Sequence, residues 1–376
     1  MKILYTHRGR KGKDGWGRSF YLAKSMAKLG HDVVFITTKE KCTFFSVKSE
    51  TLNNVKVLSF PDFIPVKLKS SGFGLISLIG KLFYASSHKF DIVISDLGHR
   101  PNALPCKINR KIYNSKYIVE WWDYLGKGGY YDSKPLLFKL LYGRFETKGE
   151  IKDKINADRV IVLSEEMKNK CLDIQIKNIK VVHGGCLTDE IKPYPVVFDP
   201  VRKLNLCYIG MGDSEIKILE PFLKSIACDD IRKNVRFITF GNKISSKYIE
   251  KYNLKGVIEE RGWINYSKDS DKLNDIDIYI LIRENNLSSR VGWPNKLGDY
   301  LASGKPIIIT LYGDLIKFVH NNPNGFIPID YDSESITNAI KDILSNKYDF
   351  KLMGLSNRKV AEENTWENKA TQILDF

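Results

Sequence analysis

Ile280-Leu281-Ile282-Arg283-Glu284-Asn285-Asn286-Leu287-Ser288-Ser289-Arg290-Val291-Gly292-Trp293-Pro294-Asn295-Lys296-Leu297-Gly298-Asp299-Tyr300-Leu301-Ala302-Ser303-Gly304-Lys305-Pro306 is the stretch on which the fold turns. An apolar run ends at Arg283, a polar loop follows, and Pro294 is suited to the first position of a helix that stops at Gly304. Pro306 then opens the next apolar run. Strand, loop, helix and strand in one short span make a unit of a parallel α/β sheet. The helix start also carries chemistry. Its first turn, Pro294, Asn295, Lys296 and Leu297, presents unpaired N–H groups and positive dipole to an anion, and Arg283, Arg290 and Lys296 surround it. This describes a phosphate pocket. Asp299, in the second turn, is placed to reach the hydroxyls of a ribose attached to that phosphate.

The same alternation extends in both directions. Strands are expected at 2–5, 32–37, 55–60, 91–95, 116–121, 159–163 and 179–182, and again at 204–209, 235–240, 257–260, 276–281, 306–310 and 326–329, with helical periodicity between most of them. Between the two series lie Pro193, Pro195 and Pro200, in a stretch without helical period. We therefore expect two Rossmann-like α/β domains, 1–195 and 201–363, joined by a proline-rich hinge and facing a central cleft. A ligand would lie there, against the carboxyl ends of the strands.

Bulk properties agree with this plan. A chain of 376 residues is too long for one ordinary core, and 43% hydrophobic with 27% charged residues is a soluble composition. No apolar run reaches the ~18 residues of a spanning helix and no signal-peptide pattern opens the chain, so a cytoplasmic location is expected. Cysteines 42, 106, 171, 186, 207 and 228 are far apart, as reduced thiols rather than metal ligands would be.

The net charge of +15 is unevenly spread: residues 1–200 hold 34 Lys+Arg against 20 Asp+Glu, a net of +14, and residues 201–376 hold 25 against 24, a net of +1. A first half this basic points to a polyanionic partner, either an anionic membrane surface or nucleic acid. Nucleic acid is the lesser candidate, because no recognisable module interleaves exposed aromatics with the basic residues. The 64–89 segment bears on the choice. Leu75, Ile79, Leu82 and Phe83 share a helical face, broadened by Ile76, with Lys67, Lys69, Lys81 and Lys89 around them. Such a helix either lies in a membrane interface or packs as a crossover helix on its own sheet.

Near the start, Gly12-Lys13-Asp14-Gly15-Trp16-Gly17-Arg18-Ser19 approximates a phosphate-binding P-loop between a strand and a helix. Arg18 stands where a P-loop has lysine, and a planar guanidinium suits bidentate contacts rather than that lysine's point charge. The second half supplies the better nucleotide site. Gly15, Gly17 and Arg18 are instead expected to line the cleft, their backbone close to a leaving phosphate or an acceptor.

The 292–306 segment closely resembles the donor-nucleotide motif of the retaining GT-B glycosyltransferases of family 4, which often read GFPNKLxEYLAxGKPV. Gly325-Phe326-Ile327 with a following helix, and Thr365-Trp366-Glu367 at the start of a last helix, are similar to later family features. Gly98-His99-Arg100-Pro101 and Trp121-Trp122-Asp123-Tyr124-Leu125-Gly126-Lys127-Gly128-Gly129 look like a subgroup with W-x-D-x-x-G-x-G-G. The resemblance implies a GT-B fold, a last helix (364–376) that returns to the N-terminal domain, and transfer of a sugar from a UDP- or GDP-linked donor. It further implies bacterial surface-polysaccharide assembly as the setting. With the basic first half and the 64–89 segment, the acceptor is read as a lipid-linked saccharide or oligosaccharide, met at the inner face of the membrane.

Two departures stand out. The family's E-x7-E has Val291 at its first position and Asp299 at its second. After the strand at 204–209 the loop Gly210-Met211-Gly212-Asp213-Ser214-Glu215-Ile216-Lys217 keeps Lys217 as a pyrophosphate ligand, with Gly210 beside it, but lacks the family's arginine; Arg283, Arg290 and Lys296 are expected to compensate. Glycosyl transfer breaks the anomeric C–O bond with oxocarbenium character while a nucleoside diphosphate leaves. Cationic side chains and a helix N-terminus stabilise the charge that grows on it, so neither metal nor cofactor is required. The strings Asp269-Ser270-Asp271 and Asp275-Ile276-Asp277 are read as solvated or capping acids. On the acceptor side, Asp123 and His99 are the candidate catalytic groups, and Arg100, His183 and Gly184 lie at strand ends where an acceptor would bind. A UDP-sugar 2-epimerase would share fold and nucleotide site but would have no use for the basic half.

Overall fold

In the computed structural model, residues 1–375 are described apart from 8–15, 41–44, 65–73, 98–99, 124–133, 142, 195, 197 and 200. Gly15, His99, Lys67, Lys69 and the glycines at 126, 128 and 129 lie outside the described residues. The chain divides into two compact units. The first comprises Met1–Gly184, Arg290–Trp293 and Trp366–Phe376; the second comprises Gly185–Ser289 and Pro294–Thr365.

The first unit is built on an eight-stranded sheet in the order β3-β4-β2-β1-β5-β6-β7-β8. Its strands are β1 (Lys2–Thr6), β2 (Asp32–Thr38), β3 (Lys48–Leu52), β4 (Val55–Phe60), β5 (Ile92–Ser95), β6 (Lys116–Trp121), β7 (Arg159–Val162) and β8 (Ile179–Val181). All pairings are parallel except β3 with β4. Central runs such as Ile92–Ser95 are buried throughout, as strands covered on both faces must be. β3 was not expected. It is a polar edge strand, folded back through Asn53 and Asn54, whose φ of 50° and 63° suit a tight hairpin turn.

The second unit carries β9 (Leu204–Met211), β10 (Val235–Gly241), β11 (Ile258–Glu260), β12 (Ile278–Leu281), β13 (Ile307–Thr310) and β14 (Phe326–Ile329). They form an all-parallel sheet in the order β11-β10-β9-β12-β13-β14. Its core packs Leu206, Phe237, Ile278, Ile280, Ile308 and Ile327 against Phe222, Leu223, Ile336 and Ile340. The division of the chain falls at Gly184, ahead of the proline-rich stretch. Residues just beyond it are tied into the second unit: the Cys186 N–H donates to the Asn364 carbonyl at 2.9 Å, and Arg358 donates to the carbonyls of Ile191 at 2.9 Å and Thr188 at 3.2 Å. The last helix, Trp366–Leu374, belongs to the first unit, where Trp366 stacks on Tyr21 at 5.3 Å and Glu367 pairs with Lys28 at 3.0 Å.

The helix Leu75–Ser87 inverts one expectation. Ser77, Lys81 and Ala85 form its buried face, whereas Leu75, Ile79 and Phe83 are 69%, 67% and 74% exposed. Its apolar side does not pack on its own sheet. Lys81 is turned inward because its Nζ donates to the His7 carbonyl at 3.0 Å. The short helix Leu136–Leu141 likewise exposes Leu136, Leu137 and Leu140. No described helix is long and apolar enough to cross a membrane.

Candidate functional site

In the second unit the crossovers reverse direction between β9 and β12, the position where open α/β sheets bind ligands at their carboxyl ends. Three elements converge there. Tyr208 comes from β9 and Arg283 from just beyond β12, where its N–H donates to Thr310 Oγ1 at 2.8 Å. Lys296 comes from the first turn of the helix Asn295–Ala302. Pro294, with ψ of 109°, caps that helix instead of starting it, one residue from the expected position. Lys296 Nζ donates to Tyr208 Oη at 2.6 Å. Gly210, the penultimate residue of β9, has φ +83°, and a Cβ there would sit 3.7 Å from Lys296 Nζ. The left-handed turn thus brings bare backbone next to the ammonium.

Burial holds both cations below their ordinary values. The Lys296 ammonium is pushed down to about 8, with Glu215 opposing the shift and Arg283 adding to it. The Arg283 guanidinium is pushed down to about 10. Partly desolvated cations are disfavoured in the free protein, and an anion relieves the penalty on each.

Asp299, on the same helix, accepts from Tyr266 Oη at 3.0 Å, so its carboxylate is aimed by a second side chain. Leu297 is fully buried, its role being to seat the helix, and Asn295 is exposed. Lys217 is exposed, and Glu215, two residues earlier in the helix Asp213–Ile218, is the residue whose charge is felt at Tyr208 and Lys296. Arg290 lies in the segment Arg290–Trp293, which belongs to the first unit. Of the acidic strings, Asp275 pairs with Arg261, Asp277 with Arg202 and Asp269 with Lys272.

In the first unit, Gly17 has φ +56° and begins the helix Gly17–Lys28. Arg18 is turned into the protein, which corrects its expected place on a ligand loop. It is 5% exposed; its Nε donates to Glu120 at 2.8 Å, and its terminal nitrogens donate to the carbonyls of His183 at 3.1 Å and Val182 at 3.2 Å. Glu120 also accepts from Tyr5 Oη. A guanidinium spread over three internal acceptors is a clamp on the sheet end, not an anion ligand. His183 stacks on Trp293 at 4.0 Å, and Gly184 beside it is buried. Asp123 lies exposed just beyond β6, and Arg100 heads the helix Arg100–Tyr113.

One pair was overlooked. His7 Nε2 lies 3.3 Å from Asp96 Oδ2 at the carboxyl ends of β1 and β5, where the crossovers of this sheet reverse. The histidine is 5% exposed and the aspartate fully buried, with the His7 ring stacked on Phe35 at 5.6 Å. Each residue directly follows a strand in the sequence, which was the available signal.

Residues 203–346 match the sequence profile described as glycosyl transferases group 1. No curated protein matches the chain. Solved structures do. Sucrose-phosphate synthase from Thermosynechococcus elongatus aligns with a TM-score of 0.74 at 16% identity, covering 100% of this chain and 97% of that one. HepE of Anabaena in complex with UDP and glucose aligns with a TM-score of 0.68 at 12% identity, covering 100% and 98%. WaaG, a glycosyltransferase involved in lipopolysaccharide biosynthesis, aligns at 0.66 and 12%, covering 99% of each chain. The chain has the GT-B fold of two parallel-sheet α/β domains.

Proposed function

We propose that the protein is a glycosyltransferase of the retaining family 4 kind, moving a sugar from a UDP- or GDP-linked donor to a lipid-linked or oligosaccharide acceptor in the assembly of a bacterial surface polysaccharide. The observation that carries this reading is the half-buried Lys296 and Arg283 at the β9/β12 switch point, with Asp299 one helical turn away. In glycosyl transfer the bond between C1 of the sugar and the diphosphate oxygen breaks, and negative charge grows on the leaving group. Cations already in place and partly shielded from water meet that charge with little reorganisation. Asp299, aimed by Tyr266, is suited to a ribose diol. UDP in the HepE structure supports a uridine donor by likeness of fold.

Acceptor chemistry is assigned to the first unit. Asp123 is exposed beyond β6, and His99 and Arg100 follow β5 in sequence. The exposed Leu75, Ile79 and Phe83, in a half with a net charge of +14 from 34 basic and 20 acidic residues, favour peripheral docking to an anionic membrane on its cytoplasmic face. A thermal-stabilisation screen of UDP- and GDP-sugars tests the central reading. A rise in unfolding temperature with at least one of them is expected, and no rise with any of them would refute it. Flotation with anionic, but not neutral, liposomes tests the membrane reading.

A further inference from the structure

The first unit holds a cavity of about 410 Å³ at the ends of β2 and β4, walled on one side by the polar edge strand β3. Among the described residues its lining includes Trp16, Lys39, Glu40, Lys48, Glu50 and Ser59. Strand register explains why several of these meet. Ser59 pairs with Lys48 of β3 and with Thr37 of β2, so the three share one face of the sheet, and Glu50 follows Lys48 at the two-residue strand repeat. Phe35 lies on that same face, and Trp16 packs against it with ring centroids 5.5 Å apart and against Phe20 at 5.0 Å. The indole is thereby a fixed wall.

The lining selects a class of ligand. The size falls in the range of about 300–1,000 Å³ typical of small-molecule sites. Two ammonium groups, Lys39 and Lys48, are matched by two carboxylates, Glu40 and Glu50, and Lys48 donates to Glu50 at 2.9 Å. With no net charge the cavity has no preference for a phosphate, and it is too polar for an acyl chain. Charged donors, charged acceptors and hydroxyls set around one flat ring suit a neutral sugar, whose hydroxyls each donate and accept and whose C–H groups cover an aromatic surface. Thr37 adds a second observation: it is fully buried and its hydroxyl has no hydrogen-bond partner among the described residues, next to Ser59 on the cavity wall. An unpaired buried hydroxyl is costly, and a polar guest close by offsets that cost.

We propose that this cavity is a saccharide subsite holding an inner sugar of the acceptor chain. In the strand order the ends of β2 and β4 lie two to four strands from those of β5 and β6, or roughly 10–20 Å at the spacing of neighbouring strands. A sugar bound there belongs to the body of an oligosaccharide, not to the hydroxyl that reacts beside Asp123 or Arg100. The acceptor is thus recognised over more than one sugar unit. The inference rests on the reading of the chain as a glycosyltransferase whose first unit receives the acceptor.

Binding of the full chain to an array of bacterial surface oligosaccharides, followed by calorimetric titration with the best-bound glycan, tests it. Wild type is compared with Lys48→Ala, Glu50→Ala, the double variant and Trp16→Leu. Wild type should bind at least one oligosaccharide. The double variant should bind it about ten-fold more weakly, the loss expected for one hydrogen bond to a charged group, while its affinity for UDP or GDP stays within two-fold. Trp16→Leu should weaken the glycan in the same way; should it fail to fold, the Lys48 and Glu50 variants, on an exposed edge strand, still decide the matter. A wild type that binds no glycan of the array, or wall variants that bind the glycan as well as wild type does, overturns the proposal. The nucleotide-sugar screen separates the two readings: a chain stabilised by a nucleotide sugar that binds no glycan loses only the subsite, and a chain that responds to neither loses both.

Discussion

Lys296 offers the sharpest test of the nucleotide site, because its charge and its position can be separated. In the free protein burial sets its pKa at about 8. A bound diphosphate stabilises the ammonium, so the pKa of the complex is higher. Between the two values, binding must take up a proton, and the dissociation constant rises with pH by up to about ten-fold per unit, the limit for one linked proton. Below pH 8 the lysine is already charged and affinity should be flat, provided the terminal phosphate is fully ionised, which holds above about pH 7. Lys296→Met keeps much of the stem's bulk and removes the charge. Loss of a hydrogen bond to a charged group costs about 1.5–3 kcal/mol, so the variant should bind UDP or GDP roughly 10- to 150-fold more weakly at pH 7.5. It should also lose the rise above pH 8. Isothermal titration at pH 7, 8, 9 and 9.5 for both proteins measures this, and alkaline titration of the base itself cancels in their ratio. A variant within two-fold of wild type, or a ratio that stays constant from pH 7.5 to 9.5, would refute the argument.

Three further outcomes follow from the packing. Lys81 is fully buried with its pKa lowered to about 7, burial outweighing the pull of Asp96 and Asp62. Between that value and the ordinary lysine value the unfolded chain holds more protons, so Lys81 alone should contribute a rise in stability of about 2 kcal/mol from pH 7 to 9, and Lys81→Met should lower the rise seen in urea unfolding by about that amount. Replacing Leu75, Ile79 and Phe83 together by serine removes three exposed apolar groups, each worth ~1.5–3 kcal/mol on burial. The triple variant should lose flotation with anionic liposomes while its unfolding temperature stays near wild type, and retained flotation would exclude this helix as the docking element. Gly298→Ala would place a Cβ 2.3 Å from the Gly185 carbonyl oxygen, so thermal unfolding should show a loss of about 1–3 kcal/mol.

The sheets were legible because a parallel strand buried on both faces is written as an uninterrupted apolar run, as in Ile92–Ser95 and Ile307–Thr310. β3 was not, because Lys48–Leu52 is a polar edge strand whose existence depends on its pairing with β4. The proposed phosphate site was partly legible. Arg283, Lys296 and Asp299 follow from one contiguous segment, whereas the outward turn of Lys217 depends on the phase of a helix of 6 residues, which periodicity cannot set. Arg18 could not have been read correctly from its neighbours. Its partner Glu120 lies 102 residues away and its carbonyl partners Val182 and His183 lie 164 and 165 away, and nothing local distinguishes a buried arginine clamp from a phosphate ligand.

The helix at 75–87 shows why hydrophobic patterning alone does not decide which face is inside. Patterning assumes that the burial of apolar surface outweighs every other contribution to how a helix is rotated. Here the opposite face carries Lys81, whose ammonium reaches the His7 carbonyl among Asp96 and Asp62, and Ser77, whose N–H donates to Asp62 at 3.1 Å and whose hydroxyl accepts from Thr38 at 3.1 Å. A set of buried polar partners fixed to strand ends can be satisfied in only one rotation of the helix. Breaking a buried charged network costs about 3–5 kcal/mol when one partner is lost, which offsets much, though not all, of the roughly 4.5–9 kcal/mol that the three displaced apolar side chains would gain by packing inward. The remainder is recovered if a lipid surface covers the outward apolar face during function. The uneven charge of the chain, concentrated in the same half, is the feature of the sequence that already pointed there.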